Sequence, residues 1–264
     1  MYLEEPRYAY MFGFLQMDGS LSSGGGNRGR LSLEVAHRDI HLLYAFQRLT
    51  PYYTSVRERI RETNFKASAH SAIWTLCSLE ARTRLMDLGI PSGRKSHRVR
   101  PPTVQHAERD YWRGVIDADG SVGLTGRGLP FIALTSASDA LALGFCAYVR
   151  ALTNAERVPS RNARDGIFNL VYTKESAVAL IQHLYYPGSL ALERKQRSAA
   201  AAERRVRPTT MARTGARRRW SSMEDHRLIE AGNPESVAAE LGRSPKACAL
   251  RLWRLRSGEL TPPG

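Results

Sequence analysis

The sequence predicts an α+β protein made of two copies of one structural unit, followed by a small all-α unit. Residues 10–20 (YMFGFLQMDGS) and 111–121 (YWRGVIDADGS) share the pattern Tyr-x-x-Gly-x-aliphatic-x-x-Asp-Gly-Ser in the same register, 101 residues apart. A repeat at this spacing indicates two copies of one unit in a single chain. The last quarter of the chain instead carries the capping residues of three short helices.

Hydrophobic spacing orders the elements of each copy. The first copy predicts a helix at 8–17 that ends at Asp18-Gly19, with the glycine in the C′ position. It continues with a strand at 31–36, a helix at 40–49, strands at 56–63 and 71–77, and a helix at 79–88. The second predicts a helix at 111–118, strands at 122–124 and 129–134, a helix at 140–152, a strand at 167–172 and a helix at 175–185. We interpret both as helix, two strands, helix, two strands, helix (αββαββα).

These patterns set the expected boundaries. The two repeats span 1–92 and 110–198, and a linker rich in proline and arginine joins them at 93–109. A basic tether at 199–219 then leads to the helical unit at 220–257. Residues 190–219 hold ten Lys or Arg and two Asp or Glu, so more than half of the net charge of +14 lies there.

Composition limits the function classes. A pI of about 10.2 predicts an anionic partner, with nucleic acid favoured over a membrane surface. No apolar run approaches the ~18 residues of a membrane-spanning helix, and the N-terminus lacks a signal pattern. We therefore expect a cytoplasmic protein, nucleoid-associated in a bacterium or phage. The odd, widely spaced cysteines Cys77, Cys146 and Cys248 are expected to be core thiols, neither disulfides nor zinc ligands.

The repeated motif carries paired chemistry. Two helices that meet at Gly13 and Gly114 bring their backbones close, because glycine has no Cβ, and place Asp18 and Asp119 side by side. A helix C-terminus already carries partial negative charge, so two carboxylates there favour a bound cation. Hard oxygen ligands select Mg²⁺ or a similar ion. Lys95 follows Asp18 by 77 residues and Lys195 follows Asp119 by 76, so the repeat extends through the whole unit.

The second motif, WRGVIDADG at 112–120, resembles the signature of LAGLIDADG homing endonucleases, and MFGFLQMDG at 11–19 is a looser match. The resemblance implies a DNA-binding saddle and a monomer that cuts both strands of a long asymmetric duplex site across the minor groove, leaving short 3′ overhangs. It implies Asp18 and Asp119 as catalytic, Mg²⁺-binding acids with the backbone around Gly19 and Gly120 nearby, and Mn²⁺ as a substitute. It also implies Lys95 and Lys195 as catalytic partners. Asp117 is matched by Gln16, so we expect it to be a solvated or capping carboxylate.

In this family the strands contact DNA, and basic residues on the strand candidates are the expected contacts. They are Arg57, Arg59, Arg61 and Lys66 in the first repeat and Arg127, Arg161 and Arg164 in the second. The alternating Arg57, Arg59 and Arg61 share one face of a strand. Arginine reads guanine bidentately, but contacts restricted to phosphates remain an equal alternative for each residue.

Residues 220–255 resemble a Myb/SANT-like helix-turn-helix domain. The resemblance rests on Trp220, Glu224-Asp225, Leu228, Val237-Ala238, 241–244, Ala247 and Arg251. Ser221 and Glu224 form a candidate capping box, Pro234 begins the second helix, and Ser244-Pro245 begin the third. The third helix is basic, with Arg243, Lys246, Arg251 and Arg254 as expected DNA contacts, and buries Cys248, Leu252 and Leu255. Protein binding is the alternative role.

Three other functions compete for the whole chain. The first is a DNA-binding transcriptional regulator on a catalytically inactive LAGLIDADG scaffold, which retention of both Asp18 and Asp119 disfavours. The second is an RNA intron maturase, which a Myb-like domain disfavours. The third is an intein, which is not expected because the ends carry no splice-junction residues.

Overall fold

The computed structural model describes residues 1–22, 28–63, 66–205 and 220–260, without the side chains of residues 62–67. The chain divides between residues 206 and 207 into two compact units, and each is considered by itself. No helix in the described ranges is long and apolar enough to cross a membrane.

The first half of unit 1 follows the predicted order closely. It contains α1 (Pro6–Asp18), β1 (Ser20–Leu21), β2 (Leu31–Ala36), a 3₁₀ helix (His37–Asp39), α2 (Ile40–Leu49), β3 (Thr54–Thr63), β4 (Lys66–Leu76) and α3 (Leu79–Asp87). The strands form an antiparallel sheet in the order β1-β2-β4-β3. The two-residue strand β1 was not predicted, because two residues are too few to show an alternating pattern.

The second half has one strand fewer than predicted. It contains α4 (Glu108–Asp119), β5 (Gly120–Leu124), β6 (Pro130–Ser136), α5 (Asp139–Thr153), β7 (Phe168–Thr173), α6 (Lys174–Leu184) and α7 (Glu193–Glu203). Its antiparallel sheet has the order β5-β6-β7. Between α5 and β7 only Arg161 forms an isolated bridge, to Phe168. The αββαββα prediction is therefore wrong for this half.

The missing strand has a local cause. Residues 154–166 are fully described and begin with Asn154 in the left-handed conformation. Pro159 has no N–H to donate to a strand partner. A turn then closes by hydrogen bonds from Gly166 N to Asn162 O (3.1 Å) and from Asp165 N to Asn162 Oδ1 (2.9 Å). Turn chemistry thus replaces the ladder hydrogen bonds of a strand.

The predicted tether at 199–219 begins too early. Helix α7 runs to Glu203, and Ala199 and Ala202 are buried in the core. The run of four alanines favours a helix because alanine has the highest helix propensity. Its small side chains also pack closely against the rest of unit 1. The remainder of the tether, from residue 206, lies outside the described residues.

Helices α1 and α4 form the centre of unit 1. Every residue from Ala9 to Met17 in α1 is buried, as is every residue from Asp110 to Asp117 in α4. A Cβ on Gly13 would lie 2.4 Å from the Tyr111 carbonyl oxygen, and one on Gly114 would lie 2.2 Å from the Tyr10 carbonyl oxygen. The two helices are therefore in backbone contact, which only glycine permits at these positions.

The glycines that follow the two aspartates have a different role from the predicted one. Gly19 (φ −65°) and Gly120 (φ −94°) are extended, not left-handed, so the C′ interpretation is wrong. A Cβ at Gly19 would lie 2.4 Å from the Leu15 carbonyl oxygen, and one at Gly120 would lie 2.7 Å from the Ala133 carbonyl oxygen. At both positions the chain turns directly from a helix into a strand, and the nearby carbonyl oxygens leave no room for a Cβ.

Unit 2 is a three-helix unit with a small core of its own. It contains α8 (Ser222–Ala231), α9 (Pro234–Ala238) and α10 (Pro245–Arg256). The predicted capping box of Ser221 and Glu224 is present, and Ser244 caps α10. The predicted stripe of Cys248, Leu252 and Leu255 is buried. The three cysteines are free as expected, but Cys77, which lies just after β4, is exposed and is not a core thiol.

We expect Gly13→Ala and Gly114→Ala each to lower the free energy of unfolding by about 2 kcal/mol or more, because the new methyl meets a carbonyl of the facing helix. Urea unfolding followed by circular dichroism measures this. Gly126→Ala is the matched control, since its Cβ would meet nothing within 4 Å. Equal midpoints for all three variants would contradict backbone contact.

Candidate active site

Asp18 and Asp119 meet at the C-terminal ends of α1 and α4. Their carboxyl groups are close enough to share a hydrogen bond. Both residues are exposed to solvent, while neighbouring protein atoms partly desolvate the carboxyl groups. Burial, followed by the charge of Asp119, raises the pKa of Asp18 to about 6, and burial raises the pKa of Asp119 as well. Two carboxylates at two negative helix ends form a site that a cation stabilises.

A lysine caps each of these helix ends, and Lys195 is buried whereas Lys95 is half-buried. Lys95 Nζ donates to the carbonyl oxygens of Leu15 (3.4 Å) and Gly19. Lys195 Nζ donates to the carbonyl oxygens of Ile116 (2.7 Å), Asp117 (2.7 Å) and Gly120 (2.8 Å). The acceptors Leu15 and Gly19 correspond to Ile116 and Gly120 in the repeat, so both lysines occupy the same place in their halves.

The lysines also lie in the field of the paired carboxylates. Burial lowers the pKa of Lys95 and of Lys195 to about 8, although Asp18 and Asp119 oppose the shift in both cases. Lys95 lies in the segment predicted as a linker, and Lys195 lies in the first turn of α7. The segment at 93–109 is therefore part of the site, because Val99 packs into the core and Lys95 contacts the C-terminal end of α1.

Two clefts open beside the lysines. One, of about 200 Å³, is lined by Lys95 from the first half and by Asp119 and Thr135 from the second. The other, of about 280 Å³, is lined by Gly120, Ser121 and Lys195. The first cleft thus combines a lysine from one half with a carboxylate from the other, so the two halves together form the site.

Two hydrogen bonds that cross between α1 and α4 hold the helix ends together, and they were not predicted. Tyr10 Oη donates to Asp117 Oδ2 (2.7 Å), and Tyr111 Oη donates to Gln16 Oε1 (2.8 Å). Each tyrosine is the first residue of one motif copy, and each acceptor stands two residues before the aspartate of the other copy. The repeated tyrosine was the sequence signal for this reciprocal exchange.

Asp117 is completely buried, whereas the sequence predicted a solvated or capping carboxylate. Besides Tyr10, it accepts hydrogen bonds from Tyr185 Oη (2.7 Å) and from the backbone N–H of Leu192 (2.7 Å). Burial raises its pKa, while these donors and Lys195 oppose the shift. Asp117 thus joins α1, α4, α6 and the start of α7. Gln16 is its counterpart and donates to the carbonyls of Gly89 (2.9 Å) and Arg100 (2.9 Å).

The predicted DNA-contacting arginines of β3 share one face of the first sheet. Arg57 pairs with Ile73, Arg59 with Ser71 and Arg61 with Ala69 on β4, opposite to the residues that pack on the core. Arg57 and Arg59 are exposed and form no ion pair with any described residue. Arg61 pairs with Glu34 on β2 (3.0 Å), so its charge is partly neutralised. The side chain of Lys66 lies outside the described residues.

The basic residues of the second half differ in availability. Arg127 lies exposed in the turn between β5 and β6. Arg164 is 88% exposed and pairs with its neighbour Asp165 (3.0 Å). Arg161, in contrast, pairs with Asp139, donates to the carbonyl of Gly166 (2.6 Å) and stacks on Phe168. Its guanidinium thus links the 154–167 segment to Asp139, and its DNA contact stays a prediction.

Two of the arginines predicted to contact DNA in unit 2 form ion pairs within the unit. Arg243 pairs with Glu224 (3.0 Å), and Arg251 pairs with Asp225 (2.6 Å). Both guanidiniums lie over the ring of Trp220. These ion pairs join α8 to α10 and the segment just before it, so both guanidiniums have a structural role, and their contact with DNA stays a prediction. Lys246 and Arg254 are exposed on α10, and Arg254 lies 3.5 Å from Glu259.

We expect Tyr10→Phe to lower the free energy of unfolding by about 1–3 kcal/mol, because the buried Asp117 carboxyl loses one of its three donors. Urea unfolding measures the change. Tyr8→Phe is the matched control, since the Tyr8 hydroxyl on the same helix has no described hydrogen-bond partner. Equal loss in the two variants would contradict the structural role of the Tyr10–Asp117 contact.

Comparison with known proteins identifies the fold. No protein-family model and no curated protein matches this sequence. The solved structure of the homing endonuclease I-WcaI bound to its DNA recognition sequence is similar, with a TM-score of 0.53 and 10% identity over 74% of this chain and 88% of that chain. Two others are a mutant of I-SmaMI (TM-score 0.48, 11% identity, covering 75% and 90%) and the N-terminal LAGLIDADG domain of DUF199/WhiA (0.46, 9%, 72% and 86%). The α+β fold with two antiparallel sheets is thus the fold of the LAGLIDADG homing endonuclease I-WcaI.

Proposed function

We propose that this protein is a site-specific, metal-dependent endonuclease that cuts both strands of duplex DNA and leaves short 3′ overhangs. One observation carries the proposal. Asp18 and Asp119 end two helices that are in backbone contact, and a lysine from each half caps each helix end. Two equivalent sets of groups, one from each half, suit a reaction that is carried out once on each strand.

The paired carboxylates suit a hard divalent cation. Burial, and then the charge of Asp119, raises the Asp18 pKa, and a bound cation would offset both effects. Asp18 and Asp119 would hold Mg²⁺, or Mn²⁺ in its place, with the carbonyl oxygens of Gly19 and Gly120 nearby. The metal would activate water and offset charge on the scissile phosphate.

The lysines have a separate part in the proposed mechanism. Each ammonium group offsets the negative helix end and fixes the backbone that carries its aspartate. With a pKa of about 8, each Nζ exchanges a proton with water near neutral pH. Lys95 and Lys195 therefore suit proton transfer and charge stabilisation beside the phosphate.

We propose that the exposed face of the first sheet lies along the DNA. Arg57 and Arg59 carry charge there that no described acidic side chain neutralises.

For unit 2 we propose a helix-turn-helix role in which α10 reads the duplex. Its exposed side chains at 246, 250, 253 and 254 lie on one face at helical spacing and offer both cations and apolar contacts.

We expect Asp18→Asn and Asp119→Asn each to reduce double-strand cleavage at least ~100-fold, because each removes one of the two carboxylates that would hold the divalent cation. The assay is cleavage of a randomised duplex library with Mg²⁺, with nicked and doubly cut products counted separately. Asp87→Asn, at the exposed end of α3, is the matched control and retains wild-type cleavage.

The same assay distinguishes the alternatives. Tight duplex binding without metal-dependent cutting by the wild type would overturn the nuclease and favour the transcriptional regulator. Preference for structured RNA in a binding competition would favour the maturase. Loss of cleavage in Asp87→Asn as well would indicate a folding defect, which circular dichroism of the variants detects independently.

We expect Arg57→Ala and Arg59→Ala each to weaken duplex binding and to reduce the slope of log K against log salt by about 1, since each removes one phosphate-neutralising charge. Titration at several salt concentrations measures the slope. Arg84→Ala, on the exposed side of α3, is the control of equal charge and leaves the slope unchanged. Equal slopes for all three variants would place the DNA elsewhere.

A further inference from the structure

A cluster of two histidines and one glutamate lies away from the candidate active site. His37 is in the 3₁₀ helix after β2, Glu58 is on β3 and His70 is on β4. Glu58 Oε2 lies 3.1 Å from His37 Nε2 and 2.8 Å from His70 Nε2. The ligand atoms of the three side chains lie within 4.8 Å of one another. Three separate elements thus converge on one point.

The strand register places this cluster on the opposite face from the arginine row. Glu58 pairs with Ala72, and Ile60 pairs with His70, on the face where Ala72 and Trp74 enter the core. Arg57 and Arg59 point to the other face because side chains alternate along a strand. The cluster is therefore separate from the proposed DNA-binding face, although it shares both strands with it.

The donor set fits a borderline divalent metal ion. Imidazole nitrogens with one carboxylate oxygen form a common three-ligand zinc site, in which water takes the fourth position. Zinc–nitrogen and zinc–oxygen bonds of about 2.0–2.1 Å place neighbouring ligands of a tetrahedron roughly 3.3 Å apart. The two spacings of 3.1 and 2.8 Å are slightly shorter, so a bound ion would require the side chains to move apart by a few tenths of an ångström. All three side chains are 38–52% exposed, so a fourth position is open to water.

The packing of the rings disfavours a positive charge on both histidines. The imidazole rings of His37 and His70 stack with centroids 3.8 Å apart and planes 12° from parallel. Two protonated rings at this distance would repel each other. In a neutral ring the Nε2 that faces this carboxylate carries the proton, so metal binding would use the tautomer with the proton on Nδ1.

We propose that His37, Glu58 and His70 form a zinc-class metal site that fastens β3 and β4 to the turn after β2. Because these strands also carry Arg57 and Arg59, the metal would fix the backbone from which the arginine row projects. The site does not depend on the nuclease assignment, since none of its residues belongs to the paired-aspartate centre.

The test uses the full chain freed of metal by a chelator. Zn²⁺ is titrated by calorimetry, and Co²⁺ is titrated by visible absorption, which is intense for tetrahedral coordination. Because Asp18 and Asp119 offer a second, oxygen-only site, both titrations are run in the Asp18→Asn/Asp119→Asn background. We expect one Zn²⁺ per chain there, and a roughly 100-fold loss of affinity in His37→Asn, Glu58→Gln or His70→Asn.

His106→Asn is the matched control, because His106 is a half-buried histidine outside the cluster whose ring contacts a backbone carbonyl and Tyr111. Zn²⁺ should also slow amide exchange in 54–63 and 66–76 in the parent protein and not in His70→Asn. Zinc binding of equal strength in the cluster variants and the parent would overturn the proposal. So would the absence of zinc binding in the parent, which would leave a hydrogen-bonded cluster only.

Discussion

The backbone contact between α1 and α4 is the constraint on which the rest of unit 1 depends. Gly13 and Gly114 each lie where a Cβ would meet the carbonyl of the facing helix, so the helix axes approach more closely than larger residues permit. That approach brings the two helix ends together and with them Asp18 and Asp119. The same approach lets Tyr10 and Tyr111 reach across to Asp117 and Gln16.

Bringing two helix C-termini together concentrates negative charge, and the fold compensates with cations at fixed places. Lys95 and Lys195 each contact two carbonyl oxygens at equivalent positions, one in the last turn of the helix and one on the motif glycine. Lys195 also contacts a third, that of Asp117. The lysines oppose the helix ends, while the carboxylates remain open towards solvent. The arrangement is held in place by protein groups and leaves the carboxylates available to a ligand cation.

Sequence patterns predicted the elements that depend on local spacing and failed where tertiary contacts decide. The helices of unit 1 up to α6 and the motif positions followed from periodicity and repetition. The ion pairs of Arg161, Arg243 and Arg251 did not follow from the sequence, because the sequence around an arginine does not show which acidic residue it pairs with. Asp117 was misjudged for a related reason: its three donors come from residues 10, 185 and 192, which only the fold brings together.

The two copies of the motif share their candidate reacting groups but differ in the residues that surround them. Asp18 and Asp119 match, and so do the lysines, but Gln16 stands where the second copy has Asp117. A buried carboxyl therefore lies beside Lys195, whereas a neutral amide lies beside the helix end that Lys95 caps. Lys195 also has three carbonyl partners and Lys95 has two. Under the proposed function, the two strands of an asymmetric target would meet half sites that share reacting groups but differ in their electrostatic surroundings.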